Sequence, residues 1–144
     1  MIRIHCGAAT ATVDLDHDRV ADARLGGLLL PANAGALSAR ILEAGVDKGA
    51  LGVLADVRGA LVALPKIEAP HYGYVPYGML SVPVAMVVTP EQLSVYAQVA
   101  QAAADRGTIR RAFLSRQEAQ EWLLQQARAL VANQVWWSAR RSPP

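Results

Sequence analysis

The chain has 144 residues, 53% apolar and 18% charged, with a formal charge of +2. That balance describes one globular domain and excludes a disordered chain. The only cysteine is Cys6, which excludes an intrachain disulfide and a cysteine zinc cluster.

"IRIHC" and "TATVDLD" are short β-rich runs separated by "GAA", and they predict a hairpin. Cys6 is expected as an apolar strand residue. "DLDHD" has the spacing that opens a calcium loop, but Arg19 stands where glycine is needed and Leu25 where glutamate is needed. It is expected to be a strand end with solvated carboxylates. "RLGGLLLP" then runs to a stop at Pro31.

Asn33 is the expected N-cap of a helix over about 34–47, with Leu37, Ile41 and Ala44 on one face and Gly49 ending it. "ALGVLADV" predicts a buried strand with Asp56 near its end and Arg58 in the turn that follows. The stretch "LPKIEAPHYGYVPYGMLS" has no regular period. "VPVAMVVT" predicts a second buried strand, and "TPEQ" a capping box with Pro90 at the first helical position. On that helix Ser94, Gln98, Gln101 and Asp105 share a stripe, with Leu93, Tyr96, Ala97, Ala100 and Ala104 opposite. "TIRRAFLS" predicts a strand near a sheet edge, with Arg110 and Arg111 on opposite faces. Ser115 and Glu118 form a second capping box. The last helix is expected to bury Ala119, Trp122, Leu123, Ala127, Leu130 and Val131. The order predicts an α/β fold: a mixed, mostly parallel sheet of about four to six strands, with an N-terminal hairpin and helices packed on it. Residues 1–133 form the expected domain and 134–144 a tail.

Charge is uneven. Residues 1–105 carry seven Lys/Arg against ten Asp/Glu, and residues 106–144 carry seven Arg against two Glu. Those arginines are scattered over a strand, a helix and a tail, so a solvated surface is expected rather than a nucleic-acid face. No apolar run reaches the ~18 residues of a membrane span, and "MIRIHCGAAT" does not read as a signal peptide. A soluble, cytoplasmic, bacterial-type protein is expected.

No phosphate-cradling loop, nucleophile elbow or helical metal-ligand pair is present as a linear motif. No cofactor and no metal is expected. "PHYGYVPYG" gathers His71, Tyr72, Tyr74 and Tyr77, rigid amphipathic groups suited to a binding surface. Packing over the sheet edge is the plainer role for them. In "VWWSARR", Trp137 can extend the apolar stripe while Trp136 lies about 100° round the helix. Trp136 is therefore expected to meet a dimer partner or a neighbouring loop rather than a membrane.

The run "LLPANAGALSARILEAGVDKGALGVLADVRGAL" resembles the helix–strand core of STAS domains, in their SpoIIAA-like branch. "VPVAMVVTPEQ" and "AFLSRQEAQEWLLQQ" are similar to that branch's later strand–helix units, including a Glu-Ala-x-x-Trp-Leu ending. The resemblance implies a role in binding and regulation rather than catalysis. In anti-sigma factor antagonists the strand matching "VLADV" leads to a phosphorylatable serine, and phosphorylation there breaks a partner complex. Here no Ser or Thr occurs from Val57 to Leu80, so that switch does not carry over. Asp56 matches only the strand-ending acidic position. The expected function is a non-enzymatic module that binds a protein partner or a small apolar ligand, through Asp56, Arg58, His71, Tyr72, Tyr74, Tyr77 and Trp136. The alternative is a small enzyme using Asp56, His71, Tyr72, Tyr74 and Tyr77.

Overall fold

The computed structural model describes residues 1–65, 82–105, 107 and 109–141, the last nine of these as backbone only. Strand alternation builds the N-terminal part. β1 (Ile2–Cys6) and β2 (Ala9–Leu15) form the expected hairpin, and β3 (Val20–Leu29) returns antiparallel on β2. Ile4, Ala9, Ala11, Val13, Ala21 and Ala23 point into the core. In "DLDHD", Asp14 lies on β2 and the chain turns at Asp16. Asp16 Oδ1 accepts from the backbone N–H of Asp18 at 2.8 Å and of Val20 at 3.0 Å.

The remaining elements are α1 (Ala34–Asp47), β4 (Gly52–Asp56), β5 (Ala60–Val62), β6 (Val84–Val87), α2 (Pro90–Asp105), β7 (Arg110–Phe113) and α3 (Arg116–Arg141). The sheet order is β1-β2-β3-β4-β6-β7, with β5 also paired to β3. All pairings beyond β3 are parallel. The mixed, mostly parallel sheet and its hairpin match the expectation, and its seven strands exceed the four to six expected. The two unforeseen strands are β3 and β5. "RLGGLLLP" was expected to run to a stop at Pro31, and β3 does end before it, carrying Gly26 and Gly27 within the strand. β5 continues the line of β4 after a bulge. Val57, Arg58 and Gly59 stand against only Leu25 and Gly26 of β3, so one extra residue is pushed outward.

α1 and α2 cover one face of the sheet. Leu37, Ile41 and Leu42 of α1 and Tyr96 and Val99 of α2 enter the larger core. α3 packs on the other face, over β4, β6 and β7. There Ala119 and Leu123 meet Val20, Leu54, Ala85, Val87 and Phe113, and Trp122 packs on Phe113 at 5.5 Å.

Several local expectations need correction. Asn33 precedes α1 but makes no side-chain cap. Its Oδ1 accepts from the Leu30 N–H at 2.9 Å and its Nδ2 donates to the Leu28 carbonyl at 3.0 Å, so it pins the end of β3 instead. On α2, Ala97 and Ala104 face solvent, while Gln92, Tyr96, Val99 and Ala103 turn inward. On α3, Val131 is exposed. The helix continues through the first part of the segment read as a tail. The Thr89–Gln92 capping box forms as expected: Gln92 N–H donates to Thr89 Oγ1 at 3.2 Å, and Thr89 N–H to Gln92 Oε1 at 3.0 Å. The Gln92 amide also donates to the Val57 and Ala60 carbonyls, each at 3.2 Å, tying the start of α2 to the β4–β5 bulge.

Candidate functional site

The bulge brings Asp56 and Arg58 together. Because β4 ends at Asp56 and the chain kinks at once, Arg58 folds back on its neighbour. Its Nε reaches Asp56 Oδ1 at 3.0 Å and its Nη2 reaches Oδ2 at 2.9 Å, a forked pair. The Arg58 backbone N–H adds a third bond at 3.2 Å. The fourth comes from Arg116, whose Nη1 donates to Asp56 Oδ2 at 3.2 Å. The other arm of Arg116 binds Asp22 Oδ2. Arg24 stands 3.9 Å from that same oxygen.

An arginine on the first turn of a helix is opposed by the helix dipole. Arg116 opens α3 nonetheless, because two carboxylates on neighbouring strands converge there. Burial raises the Asp56 pKa, but the Arg58 bonds and the charges of Arg58 and Arg116 outweigh it and hold the carboxyl below its ordinary value. A carboxylate has about four lone-pair sites, and all are taken. Asp56 is therefore an occupied anion, ill suited to act as a general base near neutral pH.

A second feature lies beneath the other face. Leu29, Ile41, Leu42, Val53, Met86 and Val99 line a cavity of about 50 Å³ between the sheet and α1 and α2. Its polar wall is Arg110, Tyr96 and Ser38. Arg110 was expected on a solvated surface, yet it is only 9% exposed. Its Nη2 donates to Ser38 Oγ at 3.4 Å, and its Nε is buried with no hydrogen-bond partner. Burial lowers its pKa to about 10, the nearby Tyr96 opposing this, so the guanidinium stays charged at neutral pH. Burial likewise pushes the Tyr96 phenol well above its ordinary value, against the pull of Arg110.

Of the residues singled out in the sequence, the structure joins Asp56 and Arg58. His71, Tyr72, Tyr74 and Tyr77 lie outside the described residues. Trp136 falls on the α3 backbone, and its side chain also lies outside the description. Sequence reasoning missed Asp22, Arg110 and Arg116. The alternation in "ADARL" was a usable signal for Asp22, since it sets Asp22 and Arg24 on the face opposite Ala21 and Ala23. Among the described residues no group of carboxylates, histidines or cysteine could hold a metal ion, and no helix is long and apolar enough to cross a membrane.

The class that this topology defines is a mixed α/β sheet, antiparallel at its N-terminal edge and parallel beyond. No protein-family model and no curated protein matches the chain. Among solved structures it is similar to an anti-sigma factor antagonist from Mycobacterium paratuberculosis, at 18% identity and a TM-score of 0.49, over 80% of this chain and 93% of that one. It is also similar to an uncharacterized protein of the DUF3478 family with a SpoIIAA-like fold, from Shewanella loihica. That likeness has 16% identity and a TM-score of 0.47, over 85% of this chain and 98% of the other.

Proposed function

We propose that the protein is a non-enzymatic SpoIIAA-like binding module that takes a small apolar ligand between its sheet and α1 and α2. The carrying observation is the aliphatic cavity at the centre of the larger core. Close-packed interiors leave few voids larger than a water molecule. A space of this size holds roughly a few waters or a short aliphatic chain, and its walls offer a chain more than they offer water. The occupied Asp56 supports binding over acid–base chemistry.

Butan-1-ol is a suitable neutral probe. Titration is expected to shift the ¹³C-methyl resonance of Met86, which lines the cavity, and to raise the melting temperature. Ala55→Leu, which fills the space from the strand side, is expected to remove both responses. A Met86 methyl that does not move at saturating butan-1-ol would sink the reading.

A protein partner is the second reading, favoured by one observation. Leu61 is 74% exposed, beside Arg58 on the bulge. If the partner is a second copy of the chain, sedimentation equilibrium will show a dimer that Leu61→Glu dissociates. A monomer in both cases rules out that partner.

A further inference from the structure

We propose that the cavity selects short-chain aliphatic monocarboxylates, with Arg110 binding the carboxylate head and Leu29, Ile41, Val53 and Met86 enclosing the chain. This rests on the cavity reading above and adds the chemical class of its ligand.

Arg110 carries the inference. It lies on β7, an edge strand where a guanidinium could turn outward to water, as its neighbour Arg111 does. It turns inward instead. Among the described residues no carboxylate pairs with it, and the only side-chain bond it makes is the long one to Ser38. A buried cation with no anion is costly, since its desolvation is not offset. Its buried Nε donor is still free. A carboxylate matches the guanidinium fork. The Ser38 hydroxyl, 3.4 Å from Nη2, is a donor that can serve the second oxygen. Away from the polar wall of Arg110, Ser38 and Tyr96 the cavity surface is aliphatic, so the ligand has one charged end and one apolar end.

Arg110 also lines a groove on the outer side of α2, with Ala97, Ala100, Gln101, Ala104 and Ala112. The small side chains of α2 open that groove. Arg110 therefore borders both the groove and the cavity, which places its guanidinium near the outer side of the core.

The test compares sodium butyrate with butan-1-ol, two molecules of similar size, at ionic strength matched with sodium chloride. The wild type is expected to bind butyrate at least tenfold more tightly, read from the Met86 methyl shift. Arg110→Met replaces a buried charge with an apolar chain of similar length, a change that folded proteins tolerate. It is expected to lose the butyrate preference and keep the butan-1-ol response. Equal affinity for the two probes in the wild type, or an unchanged butyrate preference in Arg110→Met, overturns the carboxylate assignment while leaving the cavity reading standing. Failure of both probes to move Met86 overturns the cavity reading and the assignment with it.

Discussion

Replacing Arg116 with methionine is expected to destabilise the fold by about 2–3 kcal/mol. Removing one partner of a buried ion pair costs roughly 3–5 kcal/mol, and an exposed pair costs about 1 or less. Arg116 and Asp22 lie between those limits, with side chains 23% and 25% exposed. The two carboxylates suffer unequally. Asp56 keeps its fork with Arg58. Asp22 keeps only the distant Arg24, and its Oδ1 is already buried without a hydrogen bond. Asp22→Asn in the Arg116→Met background should therefore recover part of the loss, whereas Asp22→Asn alone should not stabilise. Urea unfolding of the four proteins in this cycle measures the coupling. A loss below about 0.5 kcal/mol for Arg116→Met would show the cluster to be a surface feature.

The same cluster predicts an acid limb in stability. The folded-state pKa of Asp56 is lowered, so its contribution is present above the unfolded value near 3.8 and is lost as pH falls through the folded one. Arg116→Met should make that limb shallower, since it removes one of the charges that lower the pKa.

The other large effect is expected at Gly27. Its φ is +75°, and a Cβ there would lie 2.2 Å from the Ala8 carbonyl oxygen. The obstacle is backbone, which no rotamer change can relieve. Gly27 also pairs with Ala9 on one side and Ala60 on the other. Gly27→Ala should cost about 3 kcal/mol or more and lower the melting temperature by roughly 10 °C. Gly26→Ala is the control. There the new Cβ meets only Thr10 Oγ1, at 3.2 Å, a hydroxyl that can rotate away, and the cost should stay below about 1 kcal/mol. Equal effects at the two glycines would refute the close-approach argument.

These two sites also mark what the sequence could disclose. α1 and α2 were legible because their apolar residues recur at the helical period, with a capping box opening α2 and Gly49 closing α1, and β4 and β6 because each carries an unbroken apolar run. β3 was not, because Gly26 and Gly27 look like a turn when the strands on either side are unseen. β5 was hidden for a related reason: three residues after a bulge have too short a period to register. Asp56 and Arg58 could be paired on sight, being two positions apart. Arg116 could not, since its partners lie 60 and 94 positions away. "RRAF" told that Arg110 and Arg111 face opposite ways. Which of them is buried depends on where α1 and α2 cross the sheet, and no local pattern records that. The Tyr-rich loop, the most distinctive stretch in the sequence, lies outside the described residues.

Along its main path the sheet's spatial order repeats the chain's own order, from β1 at one edge to β7 at the other. On the ribosome, where the N-terminus emerges first, each of these strands can therefore join at a growing edge. None has to be threaded between two that have already paired. The first three strands need only short antiparallel returns, which close quickly, and each parallel strand is then laid against a finished template. Until β7 arrives, β6 is the exposed edge, and it carries Val84, Ala85, Met86 and Val87 without a charge. Synthesis stalled between β6 and β7 would thus be the stage most open to aggregation.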